Sequence, residues 1–198
     1  MAQVFGAWDG AYAAALVRRF DLRPEQRIKG MSHGQRIKAA LLLALARRPT
    51  LLVLDEPTTG LDPVARQEVI GALTDVVRDA GRSVLFSSQN TLDVEQIADR
   101  VNFIDRGRII DADDTAAYLD RWRRLRLELA VPGVVPVLPH IVQTAMHGHV
   151  ATLVTDHYDE AMLQACAAGG ATVQGVERLT LEEIFVTTVM ARREEVAA

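Results

Sequence analysis

The stretch LLVLDEPTTGLD, residues 51–62, decides the fold of this chain. It begins with an apolar run of branched residues, 51–54, which predicts a buried strand at the centre of a parallel sheet. The run ends in Asp55 and Glu56, where the strand reaches the edge of the sheet. Ligands of open α/β sheets bind outside the carboxyl ends of the strands, so these two acids are predicted to lie at a binding site.

Adjacent carboxylates at such an edge suit two tasks. Asp55 is the candidate to hold a magnesium ion, directly or through water, and Glu56 is the candidate to orient a water molecule or accept its proton. Pro57 ends the strand, and Asp62 and Pro63 begin a helix as N-cap and first helical residue. The alternative is a core strand that ends in Asp-Glu and has no catalytic role.

A second stretch of interest is MSHGQ, residues 31–35, which precedes an Ala- and Leu-rich helix predicted from Gln35 to about Arg47. Ser32 and Gly34 at a helix N-terminus offer a hydroxyl and free backbone N–H groups, which together suit an anion. The alternative is an ordinary helix capped by Ser32.

A helix and a second strand follow. Residues 63–80 have the apolar spacing of an amphipathic helix, and residues 83–87 predict another buried strand, followed by Gln89. Strands that alternate with helices predict an α/β fold with a mainly parallel sheet. Gln89 is either a side chain that senses a ligand at the sheet edge or a plain loop residue.

Taken together, these stretches resemble the second half of the catalytic core of the ABC (ATP-binding cassette) ATPases. Residues 51–62 resemble the Walker B motif and D-loop, residues 31–35 the signature loop, and residues 83–89 the switch strand. The resemblance implies a partial P-loop NTPase core that uses ATP and Mg²⁺. It also implies a dimer in which the signature loop of one subunit contacts the γ-phosphate held by the other.

The resemblance assigns a role to each matching residue. Asp55 would be a magnesium ligand, Glu56 would polarise the hydrolytic water, and Gln89 would sense the γ-phosphate. Asp62 would communicate across the dimer interface. The residues that this resemblance places at the nucleotide are Ser32, His33, Gly34, Gln35 and Asp62.

The sequence departs from the family pattern in four places. Met31 stands where the signature loop usually has leucine. His33 stands where the signature loop usually has glycine, and Gln89 stands where the switch strand usually has histidine. The chain also has no P-loop, because neither of its two lysines, Lys29 and Lys38, follows a glycine or precedes Ser or Thr. We therefore expect an N-terminally incomplete form of the family.

Composition narrows the function classes. A net charge of −4 and a pI of about 5.7 give no reason to expect a nucleic acid partner. Cys166 is the only cysteine, so an internal disulfide is impossible. The longest apolar run, residues 39–46, is too short to span a membrane.

Two domains are predicted, a partial ABC ATPase domain over residues 1–112 and a small α+β accessory domain over residues 113–198. The second resembles the C-terminal domain of ATP-binding subunits from bacterial drug exporters, with Leu181–Phe185 beginning a final helix. The histidines between residues 140 and 157 match no zinc signature and are interpreted as surface residues.

The predicted function is that of the ATP-binding, energy-coupling subunit of an ABC exporter. Its expected partners are a membrane-spanning transporter subunit and a second ATP-binding subunit, in a homodimer or a heterodimer. Its expected location is the cytoplasm, on the inner face of the cell membrane. The alternative is a non-catalytic subunit that pairs with a complete ATPase and regulates it.

Overall fold

The computed structural model describes residues 8–197, so residues 1–7 of the predicted first domain lie outside the described part. Within it, contacts divide the chain into two compact units between Ile97 and Ala98. The predicted domain boundary after residue 112 is not tested by this division and stays a prediction. The first unit contains α1 (Gly10–Arg19), a 3₁₀ turn (Ile28–Gly30), α2 (His33–Leu45), β1 (Leu51–Asp55), α3 (Pro63–Val77), β2 (Ser83–Ser87) and α4 (Thr91–Ile97).

Side-chain caps define where the helices of the first unit begin. Asp9 accepts a hydrogen bond from the amide of Tyr12 and caps α1, and Ser32 caps α2. Asp62 caps α3, with Pro63 at the first helical position, as the sequence predicts. The helices predicted over residues 35–47 and 63–80 both exist, and α2 and α3 end two and three residues earlier than predicted.

Strands β1 and β2 pair in parallel, and Asp55 lies directly opposite Ser87 at the carboxyl ends. The expected α/β class with a parallel pairing in the core is confirmed. The prediction that both strands are buried is wrong: Leu51, Val53 and Leu85 are 56%, 64% and 59% exposed. The physical reason is that the helices cover one face of this sheet, where Leu52 joins the core, whereas no described residue of the unit covers the other.

The second unit has an α+β fold, which is the class expected for the C-terminal accessory domain. Its largest sheet has the antiparallel strand order β6-β7-β5-β8, with leucines of β5 in the core. Strand β6 is not predicted from the sequence because it is largely exposed and lacks a clear apolar alternation. The elements are β3 (Arg100–Asp105), β4 (Arg108–Asp114), α5 (Thr115–Arg121), β5 (Arg123–Leu129), β6 (Ile141–His147), β7 (Val150–Thr155), α6 (Ala161–Ala168), β8 (Ala171–Arg178) and α7 (Leu181–Ala197).

None of the helices within residues 8–197 combines the length and the apolar character needed to cross a membrane.

Candidate functional site

The two candidate acids stand at the carboxyl end of β1, beside the end of β2. The hydroxyl of Ser87 donates a hydrogen bond to Oδ1 of Asp55 at 2.5 Å. The hydroxyl oxygen of Ser87 in turn accepts a hydrogen bond from the backbone N–H of Glu56 at 3.0 Å. One side chain from the neighbouring strand therefore holds both acidic positions.

Glu56 has an unusual backbone conformation, with φ +45° in the left-handed region. A residue with a side chain is seldom found there, and such outliers concentrate at functional sites. Its carboxylate accepts a hydrogen bond from the hydroxyl of Thr59 at 2.7 Å. The turn that follows β1 thus directs the Glu56 carboxylate towards residues 58–60.

Ser32 and Gln35 form a capping box at the start of α2. The amide of Gln35 donates to the Ser32 hydroxyl at 3.2 Å, and the amide of Ser32 donates to Oε1 of Gln35 at 3.0 Å. The Gln35 side chain is therefore engaged within its own helix end. The N–H groups of His33 and Gly34 belong to the first turn of the helix and have no partner within the helix, so they are able to bind an anion.

His33 brings the signature-like loop next to the turn after β1. Its Nε2 lies 3.4 Å from the carbonyl oxygen of Thr59, so the ring donates a long hydrogen bond when Nε2 carries the proton. The ring also packs against Gly60, where an added Cβ would come within 3.1 Å of Nε2. Thr59 therefore connects the two motifs, because its carbonyl faces His33 and its hydroxyl binds Glu56.

Asp62 caps α3 through one carboxylate oxygen, which accepts hydrogen bonds from the amides of Ala65 and Val64 at 3.0 and 2.9 Å. The hydrogen bond from Ala65 is the main cause that holds the pKa of Asp62 below its usual value. A carboxyl group with a lowered pKa contributes stability above its unfolded-state pKa, and this contribution is lost as the pH falls through the folded-state pKa. Asp62 thus has a structural task in addition to its predicted position at the interface.

A buried network of hydrogen bonds holds the turn that follows β1 in place. The Thr58 hydroxyl donates to Oδ2 of Asp93 at 2.6 Å, and Nε of Arg66 donates to Oδ1 of the same carboxylate at 2.6 Å. Asp93 is only 1% exposed. This network joins the turn to α3 and to α4, so the position of Glu56 depends on both helices.

Gln89 is exposed and lies two residues beyond the end of β2, at the same sheet edge as Asp55. Within the described residues its side chain makes no hydrogen bond. The structure thus brings Asp55, Glu56 and Gln89 to one edge and links His33 to Glu56 through Thr59, whereas Gln35 is turned back into its own helix. The role of each remains a prediction.

Magnesium fits the chemistry of this edge. One oxygen of the Asp55 carboxylate is engaged by Ser87, and the residue is exposed, so the other oxygen is available. Mg²⁺ is usually held by one or two carboxylates together with phosphate oxygens and water, so the free oxygen of Asp55 is a suitable ligand for it.

Sequence reasoning missed Ser87 and Asp93 as residues of the site. Ser87 carried a weak signal, because it ends the second predicted strand and parallel strands end at the same sheet edge. The contact between Ser87 and Asp55 follows only from the observed register, in which the two residues lie opposite each other. Asp93 carried no signal, since its partners Thr58 and Arg66 lie far from it in sequence.

The chain is similar in sequence to several known proteins. Residues 19–94 match the family described as AAA domain, putative AbiEii toxin, Type IV TA system. The chain is 31% identical to the daunorubicin resistance ATP-binding protein DrrA2 of Streptomyces coeruleorubidus, over 94% of this chain and 63% of that protein. It is 26% identical to the ABC transporter ATP-binding protein YtrB of Bacillus subtilis, over 63% of this chain and 43% of YtrB.

A solved structure with some likeness is the dimeric ATP-binding cassette MJ0796 bound to ADP and Pi, with 18% identity and a TM-score of 0.48 over 53% of this chain and 46% of that one. The chain spans less than two thirds of the length of the relatives named here. By sequence, it is a relative of the ATP-binding proteins of ABC transporters.

Proposed function

We propose that the chain acts as the ATP-binding, energy-coupling subunit of an ABC transporter and takes part in ATP hydrolysis at a dimer interface. The observation that carries the proposal is the joint placement of Asp55 and Glu56 at the end of β1, both held by Ser87. In support, its relatives DrrA2 and YtrB are described as ATP-binding proteins, the second of an ABC transporter.

On this proposal, each residue of the edge has one task. Mg²⁺, when bound, neutralises charge that develops on the transferred phosphate. The free oxygen of Asp55 binds it. Glu56 orients the attacking water and accepts its proton, after its carboxylate leaves the hydroxyl of Thr59. Gln89 donates a hydrogen bond to the γ-phosphate from its side-chain amide.

The N-terminus of α2 binds the ATP that is held by a second ATP-binding subunit. The hydroxyl of Ser32 and the amides of His33 and Gly34 face the γ-phosphate held by a second ATP-binding subunit. The phosphate-binding P-loop is absent from these 198 residues, so the phosphates of each ATP are held by a loop from outside them. The other expected partner is a membrane-spanning subunit. With this partner, the chain works in the cytoplasm at the inner face of the membrane. The resemblance to a drug-resistance protein supports export as the direction of transport.

A second candidate function is a regulatory subunit that pairs with a complete ATPase without catalysis. One observation favours it: the glutamine at position 89 carries neither a proton nor a charge to the phosphate. In this case Asp55 and Glu56 would serve the local structure only.

The substitution Glu56→Gln separates the two candidates. The chain is tagged in its native host, and the complex that it forms is purified from membranes with the partners that accompany it. If Glu56 handles the water, ATP turnover of the complex falls by about 100-fold or more, because general-base catalysis contributes about that much.

Glu25→Gln is the matched control, because Glu25 is exposed and lies in a loop of the same unit. We expect this variant to retain full turnover. Equal turnover of the Glu56→Gln and wild-type complexes would reject the catalytic role and leave the regulatory one.

A further inference from the structure

The hydroxyl of Ser87 makes two hydrogen bonds with the candidate catalytic acids, and it donates one and accepts the other. Its Oγ–H donates to the Asp55 carboxylate at 2.5 Å, and its Oγ accepts from the Glu56 amide at 3.0 Å. Ser87 itself belongs to β2, more than thirty residues away in sequence. One atom therefore connects the side chain of one acid with the backbone of the next, across the pair of parallel strands.

The chemistry of a hydroxyl fits this position. A hydroxyl donates one hydrogen bond and accepts others at the same atom, which an alkyl, carboxylate or ammonium group does not do. The register sets the reach, because Asp55 and Ser87 are opposite one another and both side chains are exposed at the uncovered face of the sheet. A longer polar side chain would displace the Asp55 carboxylate from this position.

The backbone at Glu56 explains why a fixed amide matters. Its φ of +45° is a sparsely populated conformation that persists only when surrounding contacts hold it. The Ser87 hydroxyl holds the amide at the start of this residue, and Thr59 holds the carboxylate at its end. When the Thr59 contact is released, the hydrogen bond to Ser87 keeps the backbone from which the Glu56 side chain extends.

We propose that Ser87 is a positioning residue that fixes the Asp55 carboxylate and the Glu56 backbone relative to each other for ATP hydrolysis. This rests on the proposed function, since only in that reaction do both acids act on the same phosphate. Ser87 touches neither the substrate nor the reacting water. Its effect is to keep the metal ligand and the base at a constant separation.

Two variants of equal shape test the role of the hydroxyl. Ser87→Thr keeps the hydroxyl, and Ser87→Val replaces it with a methyl group; both residues favour strands, so β2 is retained. Ser83→Ala is the control for the strand, because Ser83 lies on the same face at the other end of β2 and its hydroxyl makes no hydrogen bond within the described residues.

The first readout is independent of activity. Amide hydrogen exchange at Glu56, measured by NMR on the full chain, is expected to be about tenfold faster in Ser87→Val than in Ser87→Thr or Ser83→Ala, because one hydrogen bond protects this amide. Equal exchange rates in the Val and Thr variants would overturn the proposal.

The second readout is the ATP turnover of the purified complex. Ser87→Val is expected to lower kcat about tenfold with little change in KM, and Ser87→Thr to restore most of it. Unchanged kcat in Ser87→Val, in a complex that Glu56→Gln inactivates, would overturn the role of Ser87 alone. If Glu56→Gln leaves turnover intact, the proposed function fails and the role of Ser87 in catalysis fails with it.

Discussion

At the residue scale, Gly60 is the position where the turn tolerates no side chain. Its φ is +73°, and a Cβ there would lie 3.1 Å from Nε2 and 3.3 Å from Cδ2 of His33. A left-handed backbone costs a residue with a Cβ about 1–2 kcal/mol relative to glycine. The contact with His33 adds to this cost, since both atoms belong to one rigid ring.

We therefore predict that Gly60→Ala lowers the free energy of unfolding by more than the backbone cost of about 1–2 kcal/mol in urea titrations, because crowding by His33 adds to it. Combining it with His33→Ala should recover only the part that arises from crowding, because the backbone cost remains. The matched control is Gly30→Ala, where an added Cβ meets no atom within 4 Å. A loss in Gly60→Ala no larger than that in Gly30→Ala would contradict the account of this turn.

Single residues of the site were predictable to different degrees. The position of Asp55 and Glu56 was predictable, because the apolar run that forms β1 ends at these two acids. The N-cap role of Ser32 was predictable from the sequence, and the spacing of Ser32 and Gln35 also fits the capping box that the structure shows. The hydrogen bond from Ser87 to Asp55 was not predictable, because the sequence of neither strand alone determines the register of the pair.

At the scale of elements, the buried carboxylate of Asp93 connects three of them. It accepts from Thr58 in the turn after β1 and from Arg66 on α3, and it lies itself on α4. Removing one partner of a buried charged pair leaves the other without compensation, which costs more than the pair contributes when it is intact.

We predict that Asp93→Asn lowers the free energy of unfolding by about 2–4 kcal/mol, because the new NH₂ group cannot accept from Arg66. Asp75→Asn is the control: its partner Arg19 lies 2.5 Å away, but both side chains are more than a third exposed, so a loss below about 1 kcal/mol is expected. Chemical denaturation of both variants and of the wild type measures these two losses of free energy of unfolding. Similar losses would mean that the Asp93 network does not hold the turn.

The helices and strands of the first unit were predictable because their caps and apolar spacing are local. The burial of β1 and β2 was not, since an apolar run shows that a strand can be covered on both faces without showing what covers it. Strand β6 escaped prediction for a related reason. It is paired on one side by β7 and is mostly exposed, so its residues carry no apolar pattern.

At the scale of the whole molecule, the proposed ATP site is incomplete within these 198 residues. The first unit holds two candidate catalytic carboxylates and a helix N-terminus for an anion, and the sequence holds no P-loop. The exposed apolar face formed by Leu51, Val53 and Leu85 adds to this description, because contiguous exposed apolar surface marks regions that associate.

The strength of nucleotide binding follows from these parts. A helix N-terminus contributes about 0.3–2 kcal/mol to a bound anion, whereas a Kd of 1 µM corresponds to about 8 kcal/mol. The chain alone therefore lacks most of the interactions that tight binding of ATP requires.

The most direct test of this account is a calorimetric titration of Mg-ATP into the purified chain, repeated with the complex purified from membranes. We predict no saturable binding tighter than about 1 mM for the chain alone and clear binding for the complex. Binding to the chain alone in the low micromolar range would contradict the account, because these 198 residues would then contain a complete phosphate site.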